Sequence, residues 1–117
     1  NLNSAKPHIQ KQKSLIIVES VGNILKLIEN KIYNCIAIFG SKLTNSQEMI
    51  ISRLGYVNTI YLLLDNDEAG FVGNKDIYIR LYKRFNIKPI SLIDYKVNDI
   101  SELSNDKVKT LIGGIIK

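Results

Sequence analysis

From residue 14 onward, short continuous apolar runs alternate with segments whose apolar residues recur at helical spacing. Ser14-Leu15-Ile16-Ile17-Val18 is an unbroken run of strand length that stops at Glu19. Ile24, Leu25, Leu27 and Ile28 then fall at helical spacing within a segment from about Val21 to Asn30. Ile36 to Phe39 reads as a second strand, ending at Gly40. Thr44-Asn45-Ser46-Gln47 has the form of a capping box, and Met49, Ile50, Ile51 and Leu54 follow as a helix face closed by Gly55. Thr59 to Leu64 is a third strand, running into Asp65. The spacing of Ile77, Leu81 and Phe85, with Ile79 and Tyr82 beside them, predicts a helix from about Gly70 to Phe85. Pro89 to Ile93 reads as a fourth strand, Asp99 to Ser104 as a short helix, and Val108 to Ile112 as a last one. Asn1 to Lys13 is polar, basic and aperiodic, and reads as a linker or an excised boundary; residues 14–117 form the domain.

Alternating strands and helices, with strands that read as near-continuous apolar runs, predict an α/β domain. Its sheet is mainly parallel and four-stranded, with helices on both faces. Right-handed crossovers bring the carboxyl ends of parallel strands to one edge of the sheet. Glu19, Gly40 and Asp65 are all strand-end residues, so this topology turns three distant positions into one rim.

The chemistry concentrates where the third strand ends. Leu62-Leu63-Leu64 gives way to Asp65-Asn66-Asp67-Glu68-Ala69-Gly70, with two carboxylates at i and i+2. Carboxylates that close repel one another unless a cation lies between them, and a hard divalent ion such as Mg²⁺ suits such a donor set. An EF-hand loop is a poor fit, because Ala69 occupies a ligand position, Asp76 replaces the final Glu and a strand precedes the acids. A solvated turn before a helix N-terminus is the plainer alternative for Asp65 and Asp67. Glu19 as a mere polar strand terminus is its counterpart.

Composition narrows the field. The 117 residues form one domain, and 45% hydrophobic content supports a core. Sixteen Lys and Arg against eleven Asp and Glu give a net charge of +5, which suits a polyanionic partner. The single cysteine, Cys35, lies in an apolar run and reads as a small core residue. No apolar run approaches a bilayer span and no signal-peptide pattern opens the chain, so no membrane association and a cytoplasmic location are expected.

Val18-Glu19 after the first strand, Phe39-Gly40-Ser41 after the second and Asp65-Asn66-Asp67-Glu68-Ala69-Gly70 after the third resemble the Toprim domain. This is the metal-binding catalytic domain of bacterial-type primases, topoisomerases, recombination proteins and certain nucleases. The wording is most similar to that of bacterial and phage DNA primases. Thr59 to Gly70 resembles the primase strand followed by DxDxAG. Phe39-Gly40-Ser41-Lys42-Leu43-Thr44 resembles the LGTSLT segment, and Asn98-Asp99-Ile100-Ser101-Glu102-Leu103 the KDPDDL stretch.

The resemblance implies that Glu19, Asp65 and Asp67 are catalytic and hold Mg²⁺ or Mn²⁺, with Asp99 as a further ligand. It implies that Gly40, Ser41, Lys42 and Gly70 meet phosphates or nucleic acid. The implied reaction is nucleotidyl transfer in RNA primer synthesis, with a single-stranded DNA template, ribonucleoside triphosphates and neighbouring primase or helicase domains as partners. The chain departs from the pattern at Ser20, Asn23, Phe71 and Ser101, which stand where Gly, an acid, a base and an acid are common. Two rivals use the same residues: a small Toprim nuclease or RNA-maturation enzyme, and a non-catalytic module that binds metal or nucleic acid. Asp99 also reads as a helix N-cap. Lys75, Arg80, Lys83 and Arg84 read as a solvated face rather than a basic face toward nucleic acid, and Tyr78, Tyr82 and Phe85 as core and interface residues rather than a stacking platform.

Overall fold

The computed structural model describes residues 2–40 and 42–113. Its elements run α1 (Leu2–Gln12), β1 (Ser14–Val18), α2 (Val21–Glu29), β2 (Cys35–Ala37), α3 (Asn45–Ser52), β3 (Thr59–Leu62), α4 (Glu68–Leu81), β4 (Asn86–Pro89) and α5 (Asn105–Gly113). Two 3₁₀ turns, Ile93–Tyr95 and Ile100–Glu102, lie between β4 and α5.

The four strands pair in parallel in the order β2-β1-β3-β4. Alternation along each strand sends side chains to two separate cores. Leu15, Ile17, Ile36, Ile38, Ile60 and Leu62 pack with residues of α1, α3 and α4 on one face. Ile16, Val18, Cys35, Ala37, Tyr61 and Leu63 pack with residues of α2, the second 3₁₀ turn and α5 on the other. Burial on both faces explains why β1 is apolar at every position from Leu15 to Val18. The predicted parallel sheet with helices on both faces is the one observed.

Capping sets several helix starts. Ser20 and Asn23 form a reciprocal capping box at α2, and Thr44 with Gln47 forms the predicted one at α3. Arg80 of α4 ties that helix to α3 and its leading loop. It donates to Glu48 Oε1 at 2.5 Å, to the Leu43 carbonyl at 2.5 Å and to Asn45 Oδ1 at 3.1 Å.

Several boundaries differ from the sequence reading. Residues 2–12 are helical rather than aperiodic, and they bury Ala5 and Ile9 in the first core. Two buried positions leave little periodicity to read, and the helix also holds Pro7, a residue ordinarily disfavoured in a helix interior. The fourth strand is Asn86–Pro89, not Pro89–Ile93. An edge strand needs little apolar content, and here only Ile87 is buried. Ile90 donates its N–H to the Leu62 carbonyl at 2.8 Å, and Ile90 and Leu92 then turn into the second core. Pro89, which has no N–H to give, is tolerated at the edge of a sheet. α4 begins two residues before Gly70 and ends at Leu81. Phe39, read as part of β2, is 71% exposed and has a φ of 59°, the left-handed region that a bulky side chain rarely adopts. On α2 and α3, Leu25, Ile28, Met49 and Ile50 are exposed rather than core-facing.

Candidate metal centre

The two interior strands set the site. Ile17 of β1 is in register with Leu62 of β3, and Leu63 donates to the Ile17 carbonyl at 2.9 Å. Glu19 and Asp65 therefore leave the sheet side by side at its carboxyl edge. The contact is direct: the Asp65 backbone N–H donates to Glu19 Oε2 at 2.6 Å. Forty-six residues of sequence separate the two partners, so only the parallel pairing of β1 with β3 brings them together.

Asp67 is the N-cap of α4, and its Oδ1 accepts from the Gly70 N–H at 2.7 Å. Gly70 itself is buried against the preceding turn. A Cβ there would stand 1.9 Å from the Asp65 carbonyl oxygen. The glycine is thus required for close approach of helix and turn. Of the residues expected to meet phosphates, Gly70 is buried and has its N–H taken by Asp67.

Asp99 reaches the rim from the loop after β4. It is the N-cap of the second 3₁₀ turn: its Oδ1 accepts from the Ser101 N–H at 2.8 Å and from the Ser101 hydroxyl. Glu102 completes the box by accepting the Asn98 and Asp99 N–H groups. The capping reading of Asp99 therefore holds, and its charge also acts on Asp65. Asn66 fastens the two loops together. Its N–H donates to the Asn98 carbonyl at 2.5 Å, and its Nδ2 to the Val97 carbonyl at 3.0 Å. Sequence reasoning missed Asn66; the position between the two aspartates gave no signal beyond polarity.

Electrostatics mark Asp65 as the centre of the cluster. Burial pushes its carboxyl up to about 7 from an ordinary 3.8, reinforced by the negative charges of Glu19, Asp99 and Asp67 and by a side-chain hydrogen bond to Glu19. Acids from three segments thus act on Asp65.

Among the described residues, no three His, Cys, Asp or Glu side chains converge closely enough to hold one ion in this arrangement. Glu19 and Asp65 bond to each other, while Asp67 and Asp99 are turned onto backbone caps. The donor set nevertheless fits a hard divalent cation. All four are carboxylates, and their mutual repulsion is the kind that a cation relieves. Asp67 and Asp99 each use only Oδ1 on a cap, so each keeps Oδ2 without a hydrogen-bond partner among the described residues.

The rest of the predicted set lies on the rim or outside the described residues. Gly40 and Lys42 are exposed after β2, with nothing within 4 Å of a Cβ built on Gly40. Ser41 lies outside the described residues. Two departures from the Toprim pattern have local uses. Asn23 is buried and its Oδ1 accepts from both the Ser20 N–H and the Ser20 hydroxyl, and Ser101 completes the Asp99 cap. Beside Asp65, a cleft of about 190 Å³ is lined by Phe71, Asn74, Pro89 and Ile93 among others.

Residues 16–104 match the family described as Toprim-like. The chain belongs to this family. Among curated relatives, this Toprim domain is 29% identical over 114 residues to a DNA primase of Aquifex aeolicus, a stretch that is 95% of this chain and 22% of the relative. It is 36% identical over 70 residues to a DNA primase of Chlamydia pneumoniae, covering 59% of this chain and 12% of that protein. The crystal structure of the zinc-binding and RNA polymerase domains of the Aquifex aeolicus primase superposes with a TM-score of 0.73 at 25% identity. That match covers 97% of this chain and 28% of the other. The chain thus spans about a fifth or less of the length of these curated relatives, and its Toprim fold is of the primase type. No helix among the described residues is long and apolar enough to cross a membrane.

Proposed function

We propose that this chain is the Toprim catalytic domain of a DNA primase, and that Glu19, Asp65, Asp67 and Asp99 hold Mg²⁺ or Mn²⁺ for RNA primer synthesis. The observation that carries the reading is the junction of Glu19 with Asp65 at the carboxyl edge of the sheet, with Asp67 and Asp99 close enough to raise the Asp65 carboxyl.

In primer synthesis a 3′-hydroxyl oxygen attacks the α-phosphorus of a ribonucleoside triphosphate. The P–O bond to the β-phosphate breaks, pyrophosphate leaves and the hydroxyl proton is lost to solvent or base. Divalent cations at such a site lower the cost of the attacking alkoxide and of the charge on the leaving pyrophosphate. The chain's own part is to place the donors. Glu19 and Asp65 offer carboxylates from the two interior strands, and Asp67 and Asp99 offer the oxygens left over from their caps. Mg²⁺ retains several waters and takes few carboxylates besides substrate phosphates, so a shallow rim suffices. Gly40 and Lys42, exposed on the same rim, suit the triphosphate or the template backbone, Lys42 by its charge.

Because the chain spans a small part of its relatives, template and nucleotides need surfaces from neighbouring domains. The test joins this domain to the flanking domains of a primase and supplies single-stranded DNA, labelled ribonucleotides and Mg²⁺. Labelled primers that disappear in Asp65→Asn support the reading. Strand cleavage without nucleotide incorporation indicates a Toprim nuclease, and neither product indicates a binding module. Primer synthesis that persists near the original rate in Asp65→Asn refutes the site.

A further inference from the structure

The exposed flank of α4 carries residues that the acid cluster does not use. Phe71, Lys75, Tyr78 and Tyr82 are spaced 4, 3 and 4 residues apart, which places them on one line along a helix. Over that line the helix rises about 16 Å. Phe71 is 50% exposed and the two tyrosines 47% each, so the rings cover no core. The tyrosine rings are already parallel, with centroids 5.3 Å apart and planes 9° from each other. Phe71, at the other end, lines the cleft that also contains Asp65.

Charge identifies the occupant. Lys75 lies within the line, and Lys83 and Lys88 are exposed on α4's C-terminal side and on the edge strand β4. The acids of the helix do not oppose this. Asp76 is paired with Arg80 on the flank toward α3, and Glu68 sits at the end nearest the metal centre. Aromatic rings with open faces, interleaved with ammonium groups, are how proteins hold unpaired nucleic acid without reading its sequence. Val72 and Ile79 widen the apolar surface beside the line; the cations Lys75, Lys83 and Lys88 are what favour nucleic acid over a protein partner, whose interface core is depleted of charge.

We infer that the Phe71–Lys75–Tyr78–Tyr82 line is a stacking track for single-stranded nucleic acid that leads into the acid cluster. Bases stack on Tyr82, Tyr78 and Phe71, and Lys75 meets the phosphates between them. The direction of the track rests on the primase reading; the binding does not.

The test uses the 117-residue chain and a fluorescein-labelled dodecamer of thymidylate, followed by anisotropy in EDTA so that no metal contributes. Tyr78→Ser and Tyr82→Ser are each expected to raise Kd about fivefold, and the double variant about twenty-five-fold, while Tyr→Phe at both positions leaves Kd unchanged. Lys75→Gln is expected to flatten the dependence of log Kd on log salt by about one phosphate contact. Lys107→Gln, exposed on α5 and away from both the track and the acids, is expected to bind as the parent does, which shows that removing any one surface cation is not enough. Unchanged affinity in the double serine variant, equal affinity for a duplex of the same length, or self-association of the chain through this face in place of oligonucleotide binding overturns the assignment. Circular dichroism of the serine variants checks folding, and parent-like spectra are expected because both rings are half exposed.

Discussion

A Cβ atom on Gly70 would lie 1.9 Å from the backbone carbonyl oxygen of Asp65, well inside van der Waals contact. The obstacle is main chain, so it cannot swing aside. Gly70→Ala must either lift α4 off the turn or twist the turn itself, at a cost of about 3 kcal/mol or more. Urea unfolding is expected to show a midpoint shifted down accordingly, and metal affinity is expected to fall with it because the displaced turn carries Asp65.

The Asp65 carboxyl makes stability depend on pH. Its pKa is about 7 in the folded chain against an ordinary 3.8, so the native state keeps a proton that the unfolded state has released. Where the native state binds more protons, stability falls as pH rises. Without metal, the chain is expected to lose stability from about pH 4 up to pH 7 and then level off. Solvent screens this half-buried group, so the loss expected is on the order of 1–2 kcal/mol. Melting curves in EDTA across this range check it. Asp65→Asn is expected to flatten the slope.

Glu19→Gln separates charge from geometry. A glutamine oxygen still accepts the Asp65 N–H that Glu19 Oε2 now receives at 2.6 Å. The fold is therefore expected to stay within about 0.5 kcal/mol of the parent. Mn²⁺ affinity, read by calorimetry at pH 8, is expected to fall about tenfold or more, since a hard cation loses one anionic donor. Equal affinity in the two proteins would remove Glu19 from the ligand set.

Arg80 makes four contacts with one guanidinium, bridging Glu48, Asp76, Asn45 and the Leu43 carbonyl. Arg80→Ala is expected to cost about 1–3 kcal/mol by thermal melting, in line with loss of charge-assisted hydrogen bonds. Arg80→Lys is expected to recover little of it, because an ammonium cannot span the same fork of acceptors.

Burial raises the Cys35 thiol to about 11. Thiolate is the reactive form, so the native chain is expected to be almost inert to Ellman's reagent at pH 8. One thiol per chain should appear on adding denaturant, at the rate of unfolding.

The layout of the fold was legible because buried parallel strands write themselves as apolar runs, as Leu15 to Val18 does. What the pattern misplaced lies at the margins. β4 holds a single buried residue, and α1 only two, so neither leaves a periodic trace. Glu19, Asp65 and Asp67 were visible as acids at strand ends, and the meeting of Glu19 with Asp65 followed from topology. The second use of Asp67 and Asp99 as caps was half visible, since an acid ahead of a helix fits both parts. Gly70 was visible as a residue but not in its job, because close approach of main chain to main chain depends on coordinates. Asn66 and Arg80 were opaque for the same reason: their partners are carbonyls and side chains of distant loops.

The order β2-β1-β3-β4 has one further consequence. The strands that deliver Glu19 and Asp65 are flanked on both sides, whereas Lys42 and Asp99 hang from loops that follow the outermost strands. Amide hydrogen exchange should therefore be slowest at Ile17 and Leu62 and faster toward Ile36 and Ile87. Loosening at either border of the sheet would leave Glu19 and Asp65 on strands still paired with each other.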